Sequence, residues 1–285
     1  MLLPGQCDEA ASHAILNRYV ELGGNFIDTA DVYAEGRSEE IIGSWLEKQQ
    51  REKFVIATKV RFTSGKGING LGLSRHHIMQ SIDDSLRRLR TDYVDLYQIH
   101  DWDEATPIEE TLLALNDLVR AGKVRYLGAS NVTGWQLQKI VELSKSMGLN
   151  KWISLQVAYN LLCRGIEWEL AEVCRREGIG IIPWSPLNGC GNVSLFSSNN
   201  SFCFPLVISS GILGFQLLIS INVIRNNNET CRHQHRIYRA KSIRLSLSGK
   251  TLAQVAIRWL LQKDVVSSVI IGAKTLQQLE DNMGA

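Results

Sequence analysis

Short β-branched apolar runs alternate with amphipathic stretches of helical period along most of this chain, and that alternation confines it to an α/β fold built on a parallel sheet. Seven runs are of strand length, at residues 25–28, 54–60, 94–100, 124–130, 154–159, 180–184 and 268–272. Helical periodicity fills the intervals at 10–22, 38–48, 75–89, 108–121, 136–147, 167–177 and 252–262. The punctuation agrees with this division. Glu39 and Glu40 follow Ser38, where a helix N-terminus favours negative charge, and Gly122, Gly148 and Gly178 stand just past helical stretches, where a glycine can end them.

An alternating chain of this kind closes in one of two common ways. An open doubly wound sheet marks its dinucleotide site with a G-x-G-x-x-G turn after the first strand, and no such turn follows residues 25–28. An eightfold barrel gathers its chemistry at the C-terminal ends of the strands. Those ends carry Asp28, Lys59, His100, Asn131, Gln156 and Trp184. The expected fold is therefore a (β/α)8 TIM barrel, incomplete because seven of its strands are recognisable. Residues 1–285 read as a single domain carrying an atypical uncharged and basic insertion at about 189–248.

Composition narrows the partners. With 285 residues, 45% of them hydrophobic, the chain can bury a large core, and a net charge of +2 gives no general attraction for nucleic acid. Six cysteines without paired short spacings fit reduced thiols in a cytoplasmic protein, and the start at Met1-Leu2-Leu3-Pro4 lacks the basic end and apolar run of a secretory signal. Cys231, His233 and His235 offer soft and imidazole ligands, but two histidines two apart in a basic stretch read as incidental, and no metal is expected.

Four polar side chains at three successive strand ends form an acid–base set: Asp28 and Tyr33 after the first run, Lys59 ending the second and His100 ending the third. A phenol with a pKa near ~10 is a weak acid at neutral pH, and a neighbouring ammonium is expected to stabilise its phenolate and pull that value down. The carboxylate would hold the lysine charged and oriented. The imidazole would hydrogen-bond a substrate oxygen or relay the proton.

Six fragments in order, each at a strand end, now carry a family likeness. Asp28-Thr29-Ala30-Asp31-Val32-Tyr33, Thr58-Lys59, Gln98-Ile99-His100, Gly128-Ala129-Ser130-Asn131, Gln156-Val157-Ala158-Tyr159-Asn160 and Pro183-Trp184-Ser185-Pro186-Leu187 together resemble an aldo-keto reductase. The form around Trp184 and the closing stretch from Gly272-Ala273-Lys274 look most like the branch of aryl-alcohol dehydrogenases and potassium-channel β subunits. The resemblance implies NADPH-dependent reduction of a small aldehyde or ketone, with Tyr33 giving a proton to the carbonyl oxygen, Lys59 and Asp28 tuning it, and His100 orienting the substrate. It also implies a site for NADP(H). Ser130, Asn131 and Gln156 would hold the carboxamide, Trp184 would stack on the nicotinamide ring, and Ser185, Leu187 and Asn188 would approach the pyrophosphate. Gly272 and Lys274 would lie in the loop that meets the 2′-phosphate, with Gln278, Asp281 and Asn282 at the adenine end.

Two departures from that family pattern shape the remaining expectations. The chain begins near the first barrel helix, so the first strand is expected to be missing upstream of Glu9, leaving unpaired sheet edges. Within the atypical 189–248 stretch, the uncharged run 204–224 has the length of a membrane span. Gln216 and Asn222 inside it, and the need to keep the whole barrel on one side, argue against one. Besides an active reductase, the chain could then be a cofactor-binding regulatory protein with a protein partner, as the channel subunits are, or an inactive incomplete reductase.

Overall fold

A computed structural model describes residues 8–63, 67–187, 207–209, 216–219, 243–245 and 249–285. The first two thirds run α1 (Glu9–Glu21), β1 (Phe26–Asp28), α2 (Arg37–Leu46), β2 (Val55–Val60), α3 (Arg75–Leu89), β3 (Val94–Ile99), α4 (Ile108–Arg120), β4 (Val124–Ser130), α5 (Gly134–Ser146), β5 (Trp152–Gln156), α6 (Leu170–Glu177) and β6 (Gly180–Ile181). The strands form one parallel sheet in chain order from β1 to β6. Parallel neighbours need a crossover, and α2 to α6 provide one between each pair. Local signals start these helices: Ser74 Oγ accepts from the His77 amide, and Thr133 and Gln136 form a capping box.

Side chains along a strand alternate between its two faces. Ile27, Ile56, Val60, Tyr97, Ile99, Leu127, Ala129 and Leu155 point outward into the main core shared with the helices. The opposite parity meets on the inner face, where Ala57, Leu96, Ile182 and Ile270 form a second cluster with Phe26 packed against it. Phe26 belongs to β1 and Ile270 lies beyond β6, so the sheet curls until its two ends share one interior. Gly128 faces that interior from β4. A Cβ there would stand 2.1 Å from Ser154 Oγ and 3.1 Å from Gln98 Cγ, so a larger residue would force the Ser154 and Gln98 side chains aside.

The seventh predicted run does not form a regular strand. Residues 265–270 accompany β6 through one parallel bridge, Ile181 to Val266, and through three hydrogen bonds. The Ile181 amide donates to Val265 O at 2.7 Å, the Ser267 amide to Ile181 O at 2.9 Å and the Ile270 amide to Pro183 O at 2.9 Å. In that register the next donor would be the nitrogen of Pro183, which has no hydrogen, so one rung is missing between the Ser267 and Ile270 bonds. Six regular strands and a bridging segment replace the seven expected. Residues 268–273 and β1 face each other across a hollow floored by Ile15 and Leu16 of α1.

Beyond β6, β7 (Val207–Ser209), β8 (Gln216–Ile219) and β9 (Ile243–Leu245) form a separate antiparallel sheet in that order. β7 and β8 fall inside the uncharged run 204–224. Among the described residues no helix is long and apolar enough to cross a membrane. The chain closes with α7 (Leu252–Leu261) and α8 (Leu276–Met283). The second of these was not expected, although Thr275, whose hydroxyl accepts from the Gln278 amide, is an ordinary helix start.

Candidate active site

Asp28, Lys59, Gln98 and Gln156 share the inner parity of β1, β2, β3 and β5, near the C-terminal ends of those strands. Lys59 is fully buried, and its ammonium donates to Asp28 Oδ2 at 2.7 Å and to Thr29 O at 2.7 Å. Its third neighbour is Tyr33 Oη, at 3.4 Å. The other carboxylate oxygen, Asp28 Oδ1, accepts from Gln156 Nε2 at 2.8 Å. Gln98 Nε2 reaches the same oxygen at 3.5 Å, too far to contribute much. The Tyr33 and His100 rings meet edge to face at 5.5 Å, and Phe62 covers His100 at 4.9 Å. All four residues of the acid–base set therefore stand together at one rim.

Their protonation follows from burial and charge. Burial lowers the Lys59 pKa, and the Asp28 carboxylate opposes that shift. Burial, reinforced by the positive charge of Lys59, pushes the His100 imidazole down to about 3, so the ring is neutral at physiological pH. The Tyr33 phenol departs from the sequence expectation. Its pKa is raised, first by burial and then by the negative charges of Asp28 and Asp31. Lys59 fails to lower it because the ammonium makes its short contacts to Asp28 and Thr29, leaving the phenol the longest of the three. Tyr33 consequently keeps its proton at neutral pH, as a donor and not a phenolate.

Neighbouring strand ends extend this rim. Asn131, in left-handed backbone conformation just past β4, donates through Nδ2 to His100 O at 3.1 Å and accepts from Trp184 Nε1 at 3.0 Å. Ser130 is buried and in register with Gln156. Ser185, also left-handed, is held by Asn160, whose Nδ2 donates to Ser185 O at 2.9 Å while its Oδ1 accepts from the amides of Leu162 and Cys163. Leu187 is half-buried, and Asn188 lies outside the described residues.

The remaining predicted positions form a second group. Gly272 and Lys274 are exposed, and the Lys274 amide donates to Gln278 Oε1 at 2.9 Å. Asp281 holds α8 against α7, accepting from Thr251 Oγ1 at 3.0 Å and, through its carbonyl, from Gln254 Nε2 at 3.1 Å. Asn282 is buried. Asp28 of the first group and Ala273, between Gly272 and Lys274 of the second, both line the hollow beside β1. The hollow is mostly aliphatic, and of the acid–base set it reaches Asp28 alone.

Sequence reasoning passed over Asn160, Phe62 and Asp31 as site residues. Asn160 and Asp31 stand within the quoted fragments, but their hydrogen bonding and burial depend on loops that periodicity does not describe.

The rim carries side chains of the kind a carboxamide pairs with, although Asn131 already meets His100 O and Trp184 Nε1, and Gln156 Nε2 already meets Asp28 Oδ1. Hydroxyl and amide groups of Ser130, Asn131 and Gln156 follow one another on adjacent strand ends, and the half-buried Trp184 indole is fixed in orientation by Asn131. Lys274 adds a cation at the turn into α8, where amides and positive charge both suit a phosphate.

Residues 2–285 match the model of the Aldo/keto reductase family, and the chain belongs to that family of oxidoreductases. It is 41% identical over 209 residues to aldo-keto reductase dtxS3 of Metarhizium robertsii, across 65% of this chain and 56% of that protein. It is 32% identical over 294 residues to the NADP(+) aryl-alcohol dehydrogenase of Phanerodontia chrysosporium, across 99% of this chain and 73% of that one. Norsolorinic acid reductase B of Aspergillus parasiticus is 31% identical over 286 residues, across 96% and 70% of the two chains. The chain thus spans little more than half the length of the first of these relatives.

Proposed function

We propose that this chain reduces aldehydes or ketones to alcohols with NADP(H) as cofactor, within a (β/α)8-type barrel whose catalytic rim is Asp28, Tyr33, Lys59 and His100. The observation that carries this reading is the fully buried Lys59 ammonium, joined at 2.7 Å to Asp28 and standing 3.4 Å from the Tyr33 hydroxyl. A buried cation at that position has no structural need that an apolar side chain could not meet, and a fully buried, perturbed ionisable group beside a phenol is the kind of arrangement that functional sites hold.

Each side chain has a distinct task in this scheme. Tyr33, protonated at neutral pH, donates to the carbonyl oxygen as negative charge develops there, with the Lys59 ammonium 3.4 Å from its hydroxyl. Asp28 holds Lys59 in place and is itself held by Gln156. Neutral His100 hydrogen-bonds the same oxygen and fixes the carbonyl plane. NADPH supplies the hydride when bound, with Ser130, Asn131, Gln156, Trp184, Ser185 and Leu187 as its holders around the nicotinamide and pyrophosphate. Gly272, Lys274, Gln278, Asp281 and Asn282 serve the adenosine phosphate end. The names of two relatives, an aryl-alcohol dehydrogenase and a norsolorinic acid reductase, point to aromatic carbonyl compounds as substrates.

Titrating the protein with NADPH, followed by tryptophan fluorescence against a Trp184→Phe control, and then adding an aromatic aldehyde tests the proposal. Quenching lost in the control, together with NADPH consumption, is expected. Quenching without consumption would replace the reductase reading with a cofactor-binding regulatory one, and no quenching would remove both.

A further inference from the structure

A second layer of charge lies directly behind the catalytic rim, on the side facing the helices. Glu39 of α2 is fully buried and accepts from Thr58 Oγ1 at 2.6 Å and from Arg88 Nε of α3 at 2.7 Å. Thr58 is the outward neighbour of Lys59 on β2, so the two ion pairs, Asp28 with Lys59 and Glu39 with Arg88, flank the same strand. Each pair is balanced within itself.

Asp31 is the fifth ionisable group of this cluster and the odd one. It is 1% exposed, its amide donates to Lys59 O at 3.3 Å, and neither carboxylate oxygen has a well-formed hydrogen bond. The charged groups that face it are Glu39 from α2, Arg88 from α3 and Lys59 from β2. Asp31 also acts on the Tyr33 and Tyr97 phenols through its charge. Ionised, it would make three buried carboxylates against two buried cations. Neutral, it leaves the cluster balanced.

We propose that Asp31 is a positioning residue that holds a proton behind the catalytic rim and, by keeping or losing it, sets how readily Tyr33 gives up its own. This rests on the reductase reading for its catalytic consequence, though not for its physical content. Burial and the Glu39 carboxylate push the Asp31 acid up to about 7, with the Val32 amide, Arg88 and Lys59 offsetting this only in part. Near neutral pH the group is then half ionised. Its negative charge raises the Tyr33 pKa, making the phenol a weaker proton donor. Carbonyl reduction should therefore decline as pH rises through about 7 for a reason that lies outside the four catalytic side chains.

The test uses Asp31→Asn, which keeps the shape and removes the titration, with two independent readouts. The folded pKa of Asp31 is raised, so ionisation favours the unfolded chain. Stability tied to this group is complete below the unfolded value near ~3.9 and is lost as pH rises through about 7. The melting temperature of Asp31→Asn relative to the wild type should accordingly climb between those values and level off above them. The same crossing should appear as an infrared carboxylic-acid band, present in the wild type at pH 6, fading by pH 8 and absent from the variant.

The second readout is the pH profile of kcat/KM for an aromatic aldehyde, where the wild-type decline near pH 7 should vanish in Asp31→Asn. A melting difference that does not vary with pH, together with no titrating band, would overturn the proposal. If those physical signals appear and neither protein turns over, the reductase reading fails while the buried proton stands. If they appear and the two kinetic profiles coincide, the link from Asp31 to Tyr33 is refuted.

Discussion

At the scale of single residues, the site shows how burial and fixed charge can outweigh the simple rule that an ammonium acidifies a nearby phenol. Desolvation acts on Tyr33, Lys59 and His100 together and favours the neutral form of each, so which groups stay charged depends on short hydrogen bonds. His100 gives a direct prediction. Its folded pKa of about 3 is far below the ordinary histidine value, so the unfolded chain takes up a proton first. Stability present above about pH 6.5 is then lost as pH falls toward 3, at up to about 1.4 kcal/mol per pH unit for this one group. Urea unfolding of His100→Gln across that range should show an advantage over the wild type that grows as pH falls. A constant offset would mean that the folded imidazole takes up its proton as readily as the unfolded one. Asp31 titrates with the opposite sign over much of the same range, so the wild-type curve alone can look flat. The gathering of Asp28, Tyr33, Lys59 and His100 at one rim was legible in the sequence because each stands at or just beyond a strand end. Their protonation was not, since it depends on Asp31 and on contacts made only in the folded site.

At the scale of elements, close packing of α2 on α3 holds the second charge layer in place. Gly43 of α2 faces the end of α3 so tightly that an added Cβ would sit 2.1 Å from Arg88 O. Backbone cannot move aside as a side-chain tip can, so Gly43→Ala should push the helices apart and strain the Glu39–Arg88 pair. The expected loss is about 1–3 kcal/mol in chemical denaturation, typical of overpacking. Unchanged stability would show that α2 can slide without breaking that pair. Most helices were legible from period and caps, as Ser74 and Thr133 illustrate. α8 was missed because its eight residues are too short for a clear period, although Thr275 and Gln278 carried a capping signal. The last barrel run has the Val and Ile content of a full strand, but Pro183, just past β6, cannot donate to the ladder it would join.

For the whole molecule, the decisive property is that the parallel sheet curls so far that Phe26 and Ile270 contribute to one interior cluster. This curl sets Asp28, Lys59, His100, Asn131, Gln156 and Trp184 around a common rim, although they come from six separate strand ends. The α/β class and the strand order were legible because alternation leaves few topologies open. The hollow between β1 and residues 268–273 was not, since it depends on how far the sheet turns. The central claim is that this rim transfers a proton from Tyr33 to a carbonyl, and rapid mixing of NADPH-loaded protein with an aromatic aldehyde tests it most directly. Compared with the wild type, Tyr33→Phe should bind NADPH equally well and lose roughly 100- to 10,000-fold in the rate of NADPH consumption, the usual contribution of a positioned general acid. Equal rates in the two proteins would contradict it.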